Sequence, residues 1–72
     1  MAEKTDGTEK IKGLADYCKE RIGRFESDRN EIVLSSLSGE LKNELIALLT
    51  VRISELEKLL EGALFLLEKT SP

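Results

Sequence analysis

Cys18 is the single cysteine of this 72-residue chain, and no histidine accompanies it. A cysteine nucleophile acts as the thiolate, which needs an imidazole, a helix N-terminus or a cationic neighbour to form at neutral pH. Ile11, Leu14, Ile22 and Phe25 surround Cys18 at helical spacing, so the thiol reads as a buried structural side chain. Lys19 could act on it only if the sulfur were exposed. Acid pairs recur four residues apart, at Asp16 and Glu20, Glu40 and Glu44, and Glu57 and Glu61. That spacing places both carboxylates on one helix face. Helical bundles hold di-iron centres on such acids together with a Glu-x-x-His, a motif this chain cannot make without histidine. These acids therefore read as solvated surface groups.

The remaining chemistry is equally bare. Ser35, Ser36 and Ser38 cluster before Gly39 and read as turn and cap residues, because no nucleophile elbow or triad partner is present. The five glycines are scattered without a phosphate-binding pattern. A lone cysteine excludes an internal disulfide and, with no histidine, a conventional structural zinc site. The expectation is a non-enzyme with no catalytic, cofactor-binding or metal-binding residues.

Composition points to a small soluble protein. Apolar residues make up 40% and charged residues 35% of the chain, enough to build a core. A single domain of this size is marginal on its own, which makes association the available way to bury more surface. A net charge of −3 gives no electrostatic case for phosphate backbones. The N-terminus lacks an apolar run, position 2 is alanine, and the longest apolar run is Ala63 to Leu67. Neither a signal peptide, a myristoyl anchor nor a membrane span is expected. A reducing, cytoplasmic location follows as the expectation.

The elements that position these residues are two helices. Residues 1 to about 8 are polar and read as a flexible arm, with a single hairpin domain over residues 9–72. In the first helix Ile11, Cys18, Phe25 and Ile32 recur at seven, joined by Leu14, Ala15 and Ile22, while Arg21 and Asp28 interrupt the stripe. Gly13 and Gly23 weaken it by about 1 kcal/mol each relative to alanine. Ser27-Asp28-Arg29-Asn30 offers a capping pair, Asp28 with Glu31, so a break near residues 27–30 is the alternative to a continuous helix. Ser35–Gly39 ends the helix, with Gly39 suited to a left-handed terminus and Ser36 or Ser38 to the cap of the next helix. A connection this short returns the second helix antiparallel.

The second helix, from about Glu40 to Lys69, carries the strongest pattern. Ile46, Ile53, Leu60 and Leu67 alternate with Leu49, Leu56 and Ala63 as the a and d positions of a heptad. More apolar surface remains than one covering helix needs. Leu45, Leu59 and Leu66 line the adjoining position, interrupted by Arg52; Leu41 and Leu48 widen it; and Val51, Leu64 and Phe65 lie further round. Large apolar patches mark interaction surfaces. Leu45, Leu48, Arg52, Leu59, Leu64, Phe65 and Leu66 are the candidate interface.

The fold expected is all-α, a hairpin of two long antiparallel helices completed to a four-helix bundle by dimerisation. Isoleucine at a with leucine at d also suits direct pairing of the second helices. The function expected is a non-enzymatic interaction or assembly module acting through its second helix, on a second copy or another helical protein. The alternative is a small regulatory factor tied to nucleic acid by Lys10, Lys12, Lys19, Arg21, Arg24 and Arg29. Interspersed acids break any basic stripe there. Interfacial membrane binding is disfavoured by Glu57, Glu61 and Glu68 on the polar face.

Overall fold

The computed structural model describes the backbone of residues 2–70 and the side chains of residues 7–70. It contains α1, Ala2–Leu34, and α2, Gly39–Thr70, with no strand among the described residues. The two helices, 33 and 32 residues long, lie antiparallel in a rod of 56 × 16 × 14 Å. Residues 2–8, read as an arm from the sequence, carry helical backbone continuous with α1. The helix also runs unbroken through residues 27–30. Asp28 is exposed and Arg29 half-buried, its Nη1 donating to Thr50 Oγ1 of α2 at 3.2 Å. That tie across the hairpin gives Arg29 a reason to stay in helix.

The turn corrects the role expected of Gly39. No described residue has positive φ, and Gly39 begins α2 instead of terminating α1. Ser38 is the N-cap: its hydroxyl accepts from Leu41 N–H at 3.3 Å, and its carbonyl accepts from Lys42 N–H at 2.9 Å. The end of α1 is closed by side chains. Ser35 Oγ donates to Ile32 O at 2.7 Å, and Lys42 Nζ reaches back to Val33 O at 3.1 Å. No basic residue occupies the last turn of α1, so Lys42 supplies from α2 the cation that a helix C-terminus favours.

Burial follows a 3-4 spacing on both helices. In α2 the shielded side chains are Lys42, Ile46, Leu49, Ile53, Leu56, Leu60, Ala63 and Leu67; every other described residue of α2 is exposed. The a and d assignment made from the sequence is thus the buried seam. In α1 the seam is Thr8, Ile11, Ala15, Cys18, Ile22, Phe25, Arg29 and Ile32, with Arg21 half-covered beside it. Here the expectation needs correction. Leu14 is 39% exposed and Ala15 takes the buried position at 3%. The interleaved register therefore runs 8, 15, 22, 29, and it meets Arg29 instead of Asp28. Cys18 is fully buried, where a small thiol lets the helices approach.

Candidate interaction surface

Around an α-helix each residue is rotated by about 100° from the last. Moving one residue back from every seam position of α2 therefore draws a second stripe, about a quarter-turn from the first. That stripe is Leu41, Leu45, Leu48, Arg52, Glu55, Leu59, Gly62 and Leu66, and all of it is exposed. It inherits the 3-4 spacing of the buried seam, so it is itself a straight helical face. Moving one residue forward draws the opposite flank: Asn43, Ala47, Thr50, Ser54, Glu57, Glu61, Leu64 and Glu68. One side of α2 is a leucine stripe and the other is mostly polar.

The candidate residues consequently divide. Leu45, Leu48, Arg52, Leu59 and Leu66 come together on the leucine side, and Leu48 is 64% exposed there. Leu64 and Phe65 do not join them. They line a shallow open hollow with Glu61, Leu67 and Glu68 on the polar side and outer surface, where Lys69 Nζ sits 5.2 Å from the Phe65 ring centroid. The C-terminal apolar run thus belongs to two surfaces, not one.

Two residues of the leucine stripe do not stand out as a pair in the sequence. Arg52 Nη1 donates to Glu55 Oε1 at 3.2 Å, with both side chains well exposed. An exposed ion pair adds little stability to the hairpin itself. Its place halfway along an apolar stripe is the informative feature. Gly62 lies in the same stripe, and apart from its own stretch of helix no heavy atom lies within 4 Å of where a Cβ would stand. The signal that finds both is the one-residue offset from the seam.

On an antiparallel hairpin the backward offset falls on the same side for both helices. Beyond Gly7, the corresponding residues of α1 are Lys10, Leu14, Tyr17, Arg21, Arg24, Asp28 and Glu31. Arg21 lies along this strip with its guanidinium 5.3 Å from the Phe25 ring centroid and 6.0 Å from that of Tyr17, within reach of a cation–π contact. Leu14 and Tyr17 extend the apolar surface; the rest is charged. The basic residues of α1 are spread over both flanks, with Lys12 and Lys19 on the forward side. No helix among the described residues is long and apolar enough to cross a membrane.

The hairpin carries more surface than a compact chain of its mass. It exposes 5556 Å², against about 4,500 Å² for a compact monomer of this size. Its radius of gyration is 16.5 Å, against about 11 Å for a globular domain of this length. No family model, curated protein or solved structure matches this chain.

Proposed function

We propose that this protein is a non-enzymatic helical assembly module, in which α1 covers one side of α2 and a further helical layer covers the leucine stripe. The observation that carries this reading is the stripe of Leu41, Leu45, Leu48, Leu59 and Leu66, fully formed at heptad spacing and exposed. A layered helical structure is complete when each apolar face is packed against another element, and α1 is already committed to the other seam. A second hairpin laid on that side would close a four-helix bundle. The charges of α1 on the same side, Lys10, Arg24 and Glu31, suit the rim of such an interface.

The test measures the mass of the protein twice, as the purified chain by sedimentation equilibrium and as the native protein in a gently prepared extract. Association in at least one setting is expected, together with its loss when Leu48 and Leu59 are both replaced by serine. A chain that is monomeric in both settings overturns the proposal.

A further inference from the structure

We propose that the occupant of the leucine stripe is a second copy of this chain, with the two α2 helices antiparallel across a two-fold axis passing between Arg52 and Glu55. The proposal rests on the assembly reading above and adds the partner and its register.

The argument lies in the order of residues along the stripe. An antiparallel pair centred between Arg52 and Glu55 sets Leu48 against the partner's Leu59 and Leu41 against the partner's Leu66. Leu45 then meets the partner's Gly62, large against small. Arg52 meets the partner's Glu55, and by symmetry Glu55 meets the partner's Arg52. Every position of the stripe finds a complement in its own copy, as an isologous interface requires. The charges sit where all four come together at the axis, alternating in sign and each with an ion-pair partner in its own chain at 3.2 Å.

Other arrangements fail on the same residues. A parallel pair sets Arg52 beside the partner's Arg52 and Glu55 beside the partner's Glu55, which like-charge repulsion disfavours. Laying α2 on the partner's α1 sets leucines against the strip that carries Lys10, Arg24, Asp28 and Glu31. Sliding the antiparallel pair by a heptad sets both charges against leucine in one direction, and Glu55 against leucine with Arg52 against Gly62 in the other, so the buried pair fixes register, a role polar residues take in coiled coils. The area agrees. The excess of about 1,000 Å² over a compact monomer is close to the roughly 800 Å² that each partner buries in a standard interface.

The deciding experiment uses two single variants of the full chain, Arg52→Glu and Glu55→Arg, followed by sedimentation velocity. The wild type is expected to be a dimer. Arg52→Glu alone places four acids at the axis and Glu55→Arg alone four bases, so each is expected to weaken the dimer by about a hundredfold or more. Mixed in equal amounts, the two variants restore complementary pairs and are expected to form a heterodimer near wild-type affinity. Circular dichroism of each variant verifies that the hairpin stays helical. Single variants that dimerise like the wild type, or a mixture that stays monomeric, overturn the proposal. A wild-type chain that is monomeric at several hundred micromolar also overturns it. If that same chain sediments in a larger complex in native extract, the assembly reading stands and only the self-pairing is lost.

Discussion

The two helices share one seam in equal measure, yet they are built to different standards. α1 fills its seam with Thr8, Ala15, Cys18 and Arg29 among its larger apolar residues, and its remaining described surface is mostly charged or polar, with Leu14, Tyr17, Val33 and Leu34 as exposed apolar exceptions. α2 fills its seam with Ile46, Leu49, Ile53, Leu56, Leu60 and Leu67, with Lys42 and Ala63 the exceptions, and then repeats a leucine pattern one residue back. A cover needs only one apolar face. A helix held between two layers needs two, about a quarter-turn apart, and α2 has them. The difference gives the hairpin contact to both helices and supports placing the outward contact of the proposed assembly on α2.

The comparison can be broken most severely at Ile53, which is 5% exposed at the middle of the seam. Ile53→Ala removes branched bulk from the middle of the hairpin seam, at a cost of about 3 kcal/mol. In a domain this small that is a large part of the total stability. Loss of most of the helical circular-dichroism signal at 25 °C, or a matching fall in the urea midpoint, is the expected result. An unchanged midpoint would mean that the hairpin seam is not what holds α2 helical.

How much of this was readable from the sequence differs between the helices for the same reason. In α2 the seam positions are isoleucine and leucine at unambiguous spacing, and every a and d position read from the pattern is shielded in the structure. In α1 the most apolar nearby residue, Leu14, stands one place away from the true seam position, Ala15. A hydrophobicity pattern weighs Leu above Ala, whereas the helix contact selects a small side chain opposite the bulk of α2. Arg29 in the seam was unreadable because its place depends on Thr50, 21 residues later. Lys42 closing α1 is likewise a tertiary effect. The exposed leucines were readable singly, but Arg52 read as an interruption. Only with the seam fixed does it become, with Glu55, the middle of a second stripe.

The turn offers a smaller test, because it holds the two unequal helices in register. Ser38→Ala removes the hydroxyl that accepts from Leu41 N–H and is expected to cost about 1 kcal/mol. Ser36→Ala serves as the control, since Ser36 is exposed. Thermal unfolding of the two variants side by side, at one protein concentration, checks the difference. Equal melting temperatures would remove Ser38 from the capping role.

The quality of α1 as a mere cover can be sharpened by improving it. Gly23 lies within α1, and apart from its own stretch of helix no heavy atom comes within 4 Å of the place a methyl group would take there. Gly23→Ala should stabilise the hairpin by about 1 kcal/mol, through helix propensity and reduced freedom of the unfolded chain. Because Gly23 is exposed and lies off the backward-offset strip, association should be unaffected at concentrations where both forms are folded. Denaturant titration reads the first effect and sedimentation the second. A change in association would show that α1 contributes more to the outward contact than its surface suggests.

The smallest effect on the hairpin separates the two sides of α2 most cleanly. Leu59 and Leu60 are adjacent and identical in type, but Leu60 lies in the seam and Leu59 is 46% exposed on the stripe. Leu60→Ser therefore places a hydroxyl in the hairpin core and removes a packed side chain, whereas Leu59→Ser trades exposed leucine for exposed serine. In dilute solution, where only the single chain is present, Leu59→Ser should shift unfolding by no more than about 0.5 kcal/mol. At high concentration the order of importance reverses for assembly, because Leu59 is then the residue whose partner is lost. Urea unfolding measured at two protein concentrations a hundredfold apart reads both quantities from one pair of variants. Wild type should gain stability with concentration and Leu59→Ser should not. If Leu59→Ser destabilises the dilute chain as much as Leu60→Ser does, the stripe is part of the hairpin core and the division of α2 into an inner and an outer face fails.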